Sequence, residues 1–193
     1  TGGAGFIGSN LADRLIGKGH SVHIVDDLST GRSENVNPDA TFTNGSIQDV
    51  ELCTAAFDKA RPDFVIHAAA SYKDQTNWER DTIVNVLGTA NVVKQSLRYE
   101  VKRFIYFQTS LCYGHFPKEQ PITLDHPIQP DNSYSITKTA GEQFIAMSGL
   151  DFISFRLANV YGPRNLSGPV PTFFHRLVNG QECFISDARR DFI

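Results

Sequence analysis

Apolar positions recur along the chain in two alternating rhythms. Val22-His23-Ile24-Val25, Asp63 to Ala70, Arg103 to Ser110 and Asp151 to Val160 are short apolar runs that read as strands. Their lack of polar alternation fits parallel strands buried on both faces. Between them, Phe6, Ile7, Leu11, Leu15 and Ile16 fall at helical spacing, and Gly19 marks the stop. Asp49 caps a second helix running to about Ala60, and a long helix is expected from Thr76 to Tyr99. Pro130-Asp131-Asn132-Ser133 reads as a turn and cap, opening a helix that runs through Met147 and is closed by Gly149. Thr41 to Ile47 is expected as a short strand, Val170 to Asn179 as a helix and Glu182 to Ser186 as a short strand. Strand and helix alternate throughout, which predicts βαβ units in an α/β, Rossmann-type doubly wound parallel sheet.

The length of 193 residues suffices for one sizeable core. A net charge of -3 supplies no basic field to recruit nucleic acid or an anionic membrane, so neither is expected as a partner. No apolar run has the length of a membrane span, and no signal peptide precedes the first glycines. Cys53, Cys112 and Cys183 are spaced for neither a disulfide framework nor a metal site. A reducing, cytoplasmic setting without a metal is the expectation.

Candidate chemistry enters at the chain's first turn. Gly2, Gly5 and Gly8 form Gly-x-x-Gly-x-x-Gly, with Phe6 and Ile7 opening the helix behind them. Such glycines permit a tight turn on which a pyrophosphate sits at a helix N-terminus. The following strand ends in Asp26-Asp27, about 20 residues on, where a carboxylate meets the ribose hydroxyls of a dinucleotide. A carboxylate there repels a 2′-phosphate, which favours NAD over NADP, although Arg32 stands close in sequence. Ser46 and Ile47 flank the adenine position, and the small residues Ala68, Ala69 and Ala70 let a cofactor lie against backbone. His67, flanked by apolar residues, reads as a core histidine rather than a base. Gly88 inside the long helix suggests close packing near Asn85. Thr109 and Ser110 fall at the carboxyl end of a strand, where ligands bind in open α/β sheets. Tyr134 and Lys138, four apart on one helix face, bring an ammonium beside a phenol. That proximity is expected to draw the phenol towards neutrality and equip it to take a hydroxyl proton.

Together these residues resemble the extended short-chain dehydrogenase/reductase family, in its nucleotide-sugar epimerase and dehydratase branch. Thr-Gly-Gly-Ala-Gly-Phe-Ile-Gly at 1–8 is similar to the family's cofactor motif, and Asp26-Asp27-Leu28-Ser29-Thr30-Gly31 to its ribose motif. Asn85-Val86-x-Gly88-Thr89 resembles its central helix, the Thr109 to Gly114 stretch its Ser/Thr motif, and Tyr134-x-x-x-Lys138 its catalytic pair. Arg156 to Arg164 and Arg190-Asp191-Phe192-Ile193 resemble its diphosphate-binding segments.

The resemblance implies a UDP-glucose 4-epimerase-like enzyme: inversion at C4 of a nucleotide-diphosphate sugar, with NAD held and regenerated. Thr109, Tyr134 and Lys138 would be catalytic. NAD would meet Gly2, Gly5, Phe6, Ile7, Gly8, Asp26, Asp27, Ser46, Ile47, Ala68, Ala69, Ala70, Asn85, Tyr134 and Lys138. The substrate would meet Thr109, Ser110, Asn159 and Arg190. Two departures matter: Ser46 stands where many members carry Asp, and Ser110-Leu111 stand where eliminating or decarboxylating members carry an acid. Both rivals on the same scaffold, dehydratase or decarboxylase, are thereby disfavoured, leaving also a plain reductase and a non-catalytic NAD-binding regulator. Residues 1–155 are expected to form the cofactor domain and 156–193 the start of the sugar-nucleotide lobe. By the same resemblance the chain lacks a first strand and a C-terminal part. It is therefore expected to be unstable and inactive alone, and homodimeric when full length.

Overall fold

Among the described residues, five short parallel strands carry the structure. The computed structural model describes residues 1–74 and 76–184. Strand β1 (His23–Asp26) pairs with β2 (Thr41–Asn44), while β3 (Phe64–His67), β4 (Arg103–Thr109) and β5 (Phe152–Leu157) form a second sheet in that order. Thr1 and Gly2 lie between the two sheets and hydrogen-bond to both. Gly2 donates to the Val25 carbonyl at 2.9 Å, and Ala68 donates to the Thr1 carbonyl at 3.1 Å. The doubly wound arrangement expected from the alternation of strand and helix is the one found. Strand β5 continues through Leu157, which pairs with Thr109.

Helix α1 (Phe6–Ile16) follows the glycine turn, and α2 (Val50–Ala60) starts at Asp49, whose carboxylate accepts from the Glu51 and Leu52 N–H groups. The long helix is interrupted. A single α-turn, α3 (Trp78–Asp81), passes into a π-helical stretch (Thr82–Gly88) before α4 (Thr89–Arg98) resumes regular winding. Two causes are visible. Thr82, Ile83, Val84 and Val86 are stiff β-branched residues with weak helix preference. Gly88 also lies so near Ile47 that a Cβ would fall 2.7 Å from its side chain. Wide turns of this kind mark positions fixed by tertiary contacts.

Helix α5 (Ser133–Met147) opens with a reciprocal cap: the Asn132 side chain accepts from Ser135 N–H while Ser135 Oγ accepts from Asn132 N–H. Helix α2 packs on α4, α4 on α5, and α5 on β4. Their shared core includes Phe57, Val65, Val92, Phe104, Tyr106 and Ile145, where burying one such side chain contributes about 1.5–3 kcal/mol. His67 belongs to that core. It is fully buried, bonded to Thr1 Oγ1 at 2.7 Å and Thr89 Oγ1 at 2.9 Å, and stacked on Tyr106. Burial, with Lys138 next, holds its imidazole well below the usual value and therefore neutral.

Beyond β5, Asn10 Nδ2 bonds the Pro163 carbonyl at 3.0 Å and Asp13 pairs with Arg164 at 2.7 Å, tying this segment back to α1. Helix α6 (Pro169–Val178) starts with proline in its first turn and exposes Val170, Phe174, Leu177 and Val178. Residues 182–184 form no strand, and the rest of the short strand expected there lies outside the described residues. No helix among the described residues is long and apolar enough to cross a membrane.

Candidate active site

The carboxyl ends of the strands open into a cavity of about 1170 Å³. Its floor is the glycine turn. Gly2 has φ +69°, and a Cβ there would sit 2.5 Å from Ala69 N; a Cβ on Gly8 would fall 2.1 Å from the Gly2 carbonyl oxygen. Only bare backbone fits this crossing. Gly5 caps α1 without any side-chain hydrogen bond, so the first N–H groups of that helix stay open to an anion. Gly2, Gly5, Phe6, Ile7 and Gly8 all line the cavity, as do Ala68, Ala69 and Ala70 across from them.

Asp26 closes the glycine end. It is buried, and its two carboxylate oxygens accept from Ala4 N–H and Leu28 N–H, each at 2.9 Å. The carboxylate thus ties the turn to the end of β1, while each oxygen keeps a lone pair for a hydroxyl donor. Asp27, Ser46 and Ile47 line the same end.

Asn85 stands behind this wall rather than in it. Its amide oxygen accepts from Ser71 N–H at 2.9 Å, and its NH2 donates to the Ser71 carbonyl and to Thr137 Oγ1. The expected cofactor contact is replaced by a brace that fixes the loop after β3 against α5. Asn85→Leu, which keeps the volume, leaves a buried N–H and C=O unpaired and should cost about 3 kcal/mol. Chemical denaturation measures this, and a loss under about 0.5 kcal/mol would put the brace elsewhere.

The opposite end is built from β4 and α5. Thr109 ends β4 at the cavity wall and Ser110 follows it into a short 3-10 turn, with Thr109 buried and its hydroxyl accepting from Leu111 N–H at 3.2 Å. Tyr134 and Lys138 reach the same cavity from the first turns of α5. The sequence missed their surroundings. Tyr72 meets the Tyr134 ring edge-on, with centroids 6.4 Å apart, and the Lys138 ammonium lies 4.0 Å from the Tyr106 ring centre. Tyr106 and Tyr72 carried no periodic signal that would have marked them. Glu142 was legible as the next turn after Lys138: it accepts from Gln108 Nε2 at 3.3 Å and from Ser154 Oγ, and faces Arg156. Gln108 in turn accepts from the Thr109 N–H, so the carboxylate steadies the end of β4.

The expected electrostatics are corrected here. Burial, then Tyr72 and Asp81, pushes the Tyr134 phenol up to about 12, and burial pulls Lys138 down to about 7 against the opposing pull of Glu142. Both groups lose hydration together, and the ammonium rests on Tyr106, so it does not bring the phenol towards neutrality. Asn159 lines the cavity from the segment after β5; Arg190 lies outside the described residues. No cluster of three or more His, Cys, Asp or Glu among the described residues is arranged to hold a metal.

Known proteins share this architecture. WbmG of Bordetella bronchiseptica, solved in complex with NAD and UDP, is 46% identical with a TM-score of 0.93, matching 100% of this chain and 62% of that one. UDP-glucose 4-epimerase of Thermotoga maritima, solved with UDP-glucose, is 36% identical with a TM-score of 0.91, over 97% of this chain and 64% of the other. UDP-glucose 4-epimerase of Mycolicibacterium smegmatis is 34% identical over 94% of this chain and 63% of its own length. The chain therefore spans less than two thirds of these relatives. Residues 1–193 match the family described as NAD dependent epimerase/dehydratase, and the chain belongs to that family.

Proposed function

We propose that the full-length protein inverts the C4 centre of a nucleotide-diphosphate sugar, a UDP-sugar by analogy with its relatives, while retaining NAD. The observation that carries this is the convergence of Thr109, Tyr134 and Lys138 on one cavity whose far end is an uncapped, glycine-floored helix start. The residues present fit a dinucleotide: bare backbone and open N–H groups for the pyrophosphate, Asp26 for the ribose, and Ala68 to Ala70 as a flat wall. When bound, NAD would supply a hydride acceptor that gives back what it takes.

The chain's own residues do the rest. Tyr134 holds the proton of the reacting hydroxyl, Thr109 hydrogen-bonds its oxygen, and Lys138 orients the nicotinamide ribose. Asn159 and Arg190 hold the diphosphate, so residues from 156 onward begin the sugar-nucleotide lobe. Exposed Ile136, Phe144 and Met147 on α5 support a homodimer. The free, widely spaced cysteines support a cytoplasmic setting.

The carboxylates of the cavity favour the epimerase reading over the dehydratase one. Among the described residues, those lining the cavity are Asp26 and Asp27 at the glycine end, and Asp74. Asp74 accepts from the Thr76 hydroxyl and N–H, which hold it below the usual carboxylate range and leave it without a proton to give. This supports epimerisation over elimination of water.

Incubating the full-length protein with UDP-glucose, UDP-galactose and their N-acetyl analogues, without added NAD, tests this. A C4 epimer of unchanged mass supports the proposal. A product lighter by water replaces it with dehydration.

A further inference from the structure

The loop between β4 and α5 carries two histidines with opposite fates. His126 is buried, and both ring nitrogens are used inside the loop: Nε2 accepts from Lys118 N–H at 3.0 Å and Nδ1 donates to the Pro127 carbonyl at 3.0 Å. His115 instead lines the cavity, its side chain 35% exposed. Among the described residues its ring has one hydrogen-bond partner, Asp131 Oδ1, 2.7 Å from Nδ1. The other oxygen of Asp131 accepts the His115 backbone N–H at 2.9 Å.

One carboxylate thus fixes both the backbone and the ring. Burial raises the Asp131 carboxyl, yet the His115 N–H and ring outweigh that and hold it below its ordinary value, so it is ionised and takes the Nδ1 proton. In the neutral ring that assignment leaves Nε2 as an acceptor with a free lone pair. The turn that presents it is equally constrained. Gly114 has φ +85°, and a Cβ there would lie 2.8 Å from the Gln129 carbonyl oxygen. Position matters too: the loop leaves β4 just after Thr109, and Asp131 comes three residues before Tyr134. His115 therefore enters the cavity from the loop that joins the elements carrying Thr109 and Tyr134.

We propose that His115, oriented by Asp131, determines substrate specificity, its Nε2 accepting a hydrogen bond from a hydroxyl or N–H of the sugar in a nucleotide-diphosphate sugar. The proposal rests on the function inferred above. Two variants of the full-length protein separate recognition from mere bracing of the loop. His115→Asn keeps a donor where Nδ1 meets Asp131 and removes the distal acceptor. His115→Gln restores a distal acceptor and gives up the contact with Asp131.

Calorimetry with UDP and with UDP-glucose or UDP-galactose gives the affinity ratio without needing turnover. For His115→Asn the expected result is unchanged UDP affinity, sugar-nucleotide affinity about tenfold weaker, and KM raised with kcat within about twofold. His115→Gln should recover part of that loss. If His115→Asn binds like wild type while His115→Gln is impaired, the pair only braces the loop and the proposal is overturned. Loss of UDP and UDP-sugar affinity in equal measure overturns it as well. A wild-type protein that binds the sugars but returns no C4 epimer refutes the proposed reaction alone, and the affinity ratio still decides on His115. A wild type that binds neither ligand refutes both.

Discussion

Tyr134→Phe should lower kcat by about 10³-fold while leaving fold, NAD binding and KM within a few-fold of wild type. One oxygen is removed, and proton transfer by a positioned side chain contributes 10²–10⁴-fold in enzymes. The ring is kept, so its edge-on contact with Tyr72 survives. Steady-state turnover on the best UDP-sugar, together with a thermal melt, checks both halves. A loss under about tenfold would move the proton to another group, such as Thr109, which lines the same cavity. If a biological activity of the full-length protein persisted at full strength in the variant, the regulator alternative would take over.

The raised phenol sharpens that expectation. At about 12 it is overwhelmingly protonated near neutrality in the cofactor-free chain, a donor rather than a base. Charge close to the phenol must therefore come from elsewhere than Lys138, whose ammonium rests on Tyr106. Spacing in the sequence placed Tyr134 and Lys138 on one helix face, and the helix is there. It could not show that Lys138 would be buried and Tyr134 half-buried beside it, because their cover comes from β4 and from the loop after β3.

The same division runs through the molecule. Local chemistry was legible: the glycine crossing, the Asp49 cap, the Asn132 and Ser133 turn, and the strand ends at Asp26 and Thr109 all depend on near neighbours in sequence. Contacts between distant elements were not. Asn85 is expected as a cofactor contact through the resemblance of its helix to the family's; its partners here are Ser71 and Thr137. The π-helical turn that presents it follows from Gly88 pressing on Ile47 across 41 residues of chain. His115 drew no notice, since its meaning depends on Asp131 arriving from the far side of a loop.

Lys138→Met should abolish turnover and yet stabilise the cofactor-free full-length protein. Lys138 is 2% exposed, and burial pulls it from an ordinary 10.5 to about 7 against Glu142. Below about pH 7 the folded and unfolded chains both carry its proton, and the folded state bears the full cost of a buried ammonium. Between about 7 and 10.5 the unfolded chain holds a proton that the folded one has released, so this group's contribution to stability rises with pH. Above 10.5 both are neutral and the cost is gone. The shift corresponds to a cost on the order of 3–5 kcal/mol at pH 6, offset in part by roughly 1–2 kcal/mol of contact with the Tyr106 ring. Methionine fills the same space without charge, and Glu142 keeps Gln108, Ser154 and Arg156 as partners. A gain of about 2 kcal/mol, or roughly 4–8 °C in Tm, is expected at pH 6, shrinking towards zero as the pH approaches 10. Melts of both proteins across that range give the answer. A Tm that falls in the variant at pH 6 would mean that the ammonium is held by contacts stronger than its loss of hydration. A rise that closes with pH would show a lysine kept at a cost to stability for what it does when the cofactor is bound.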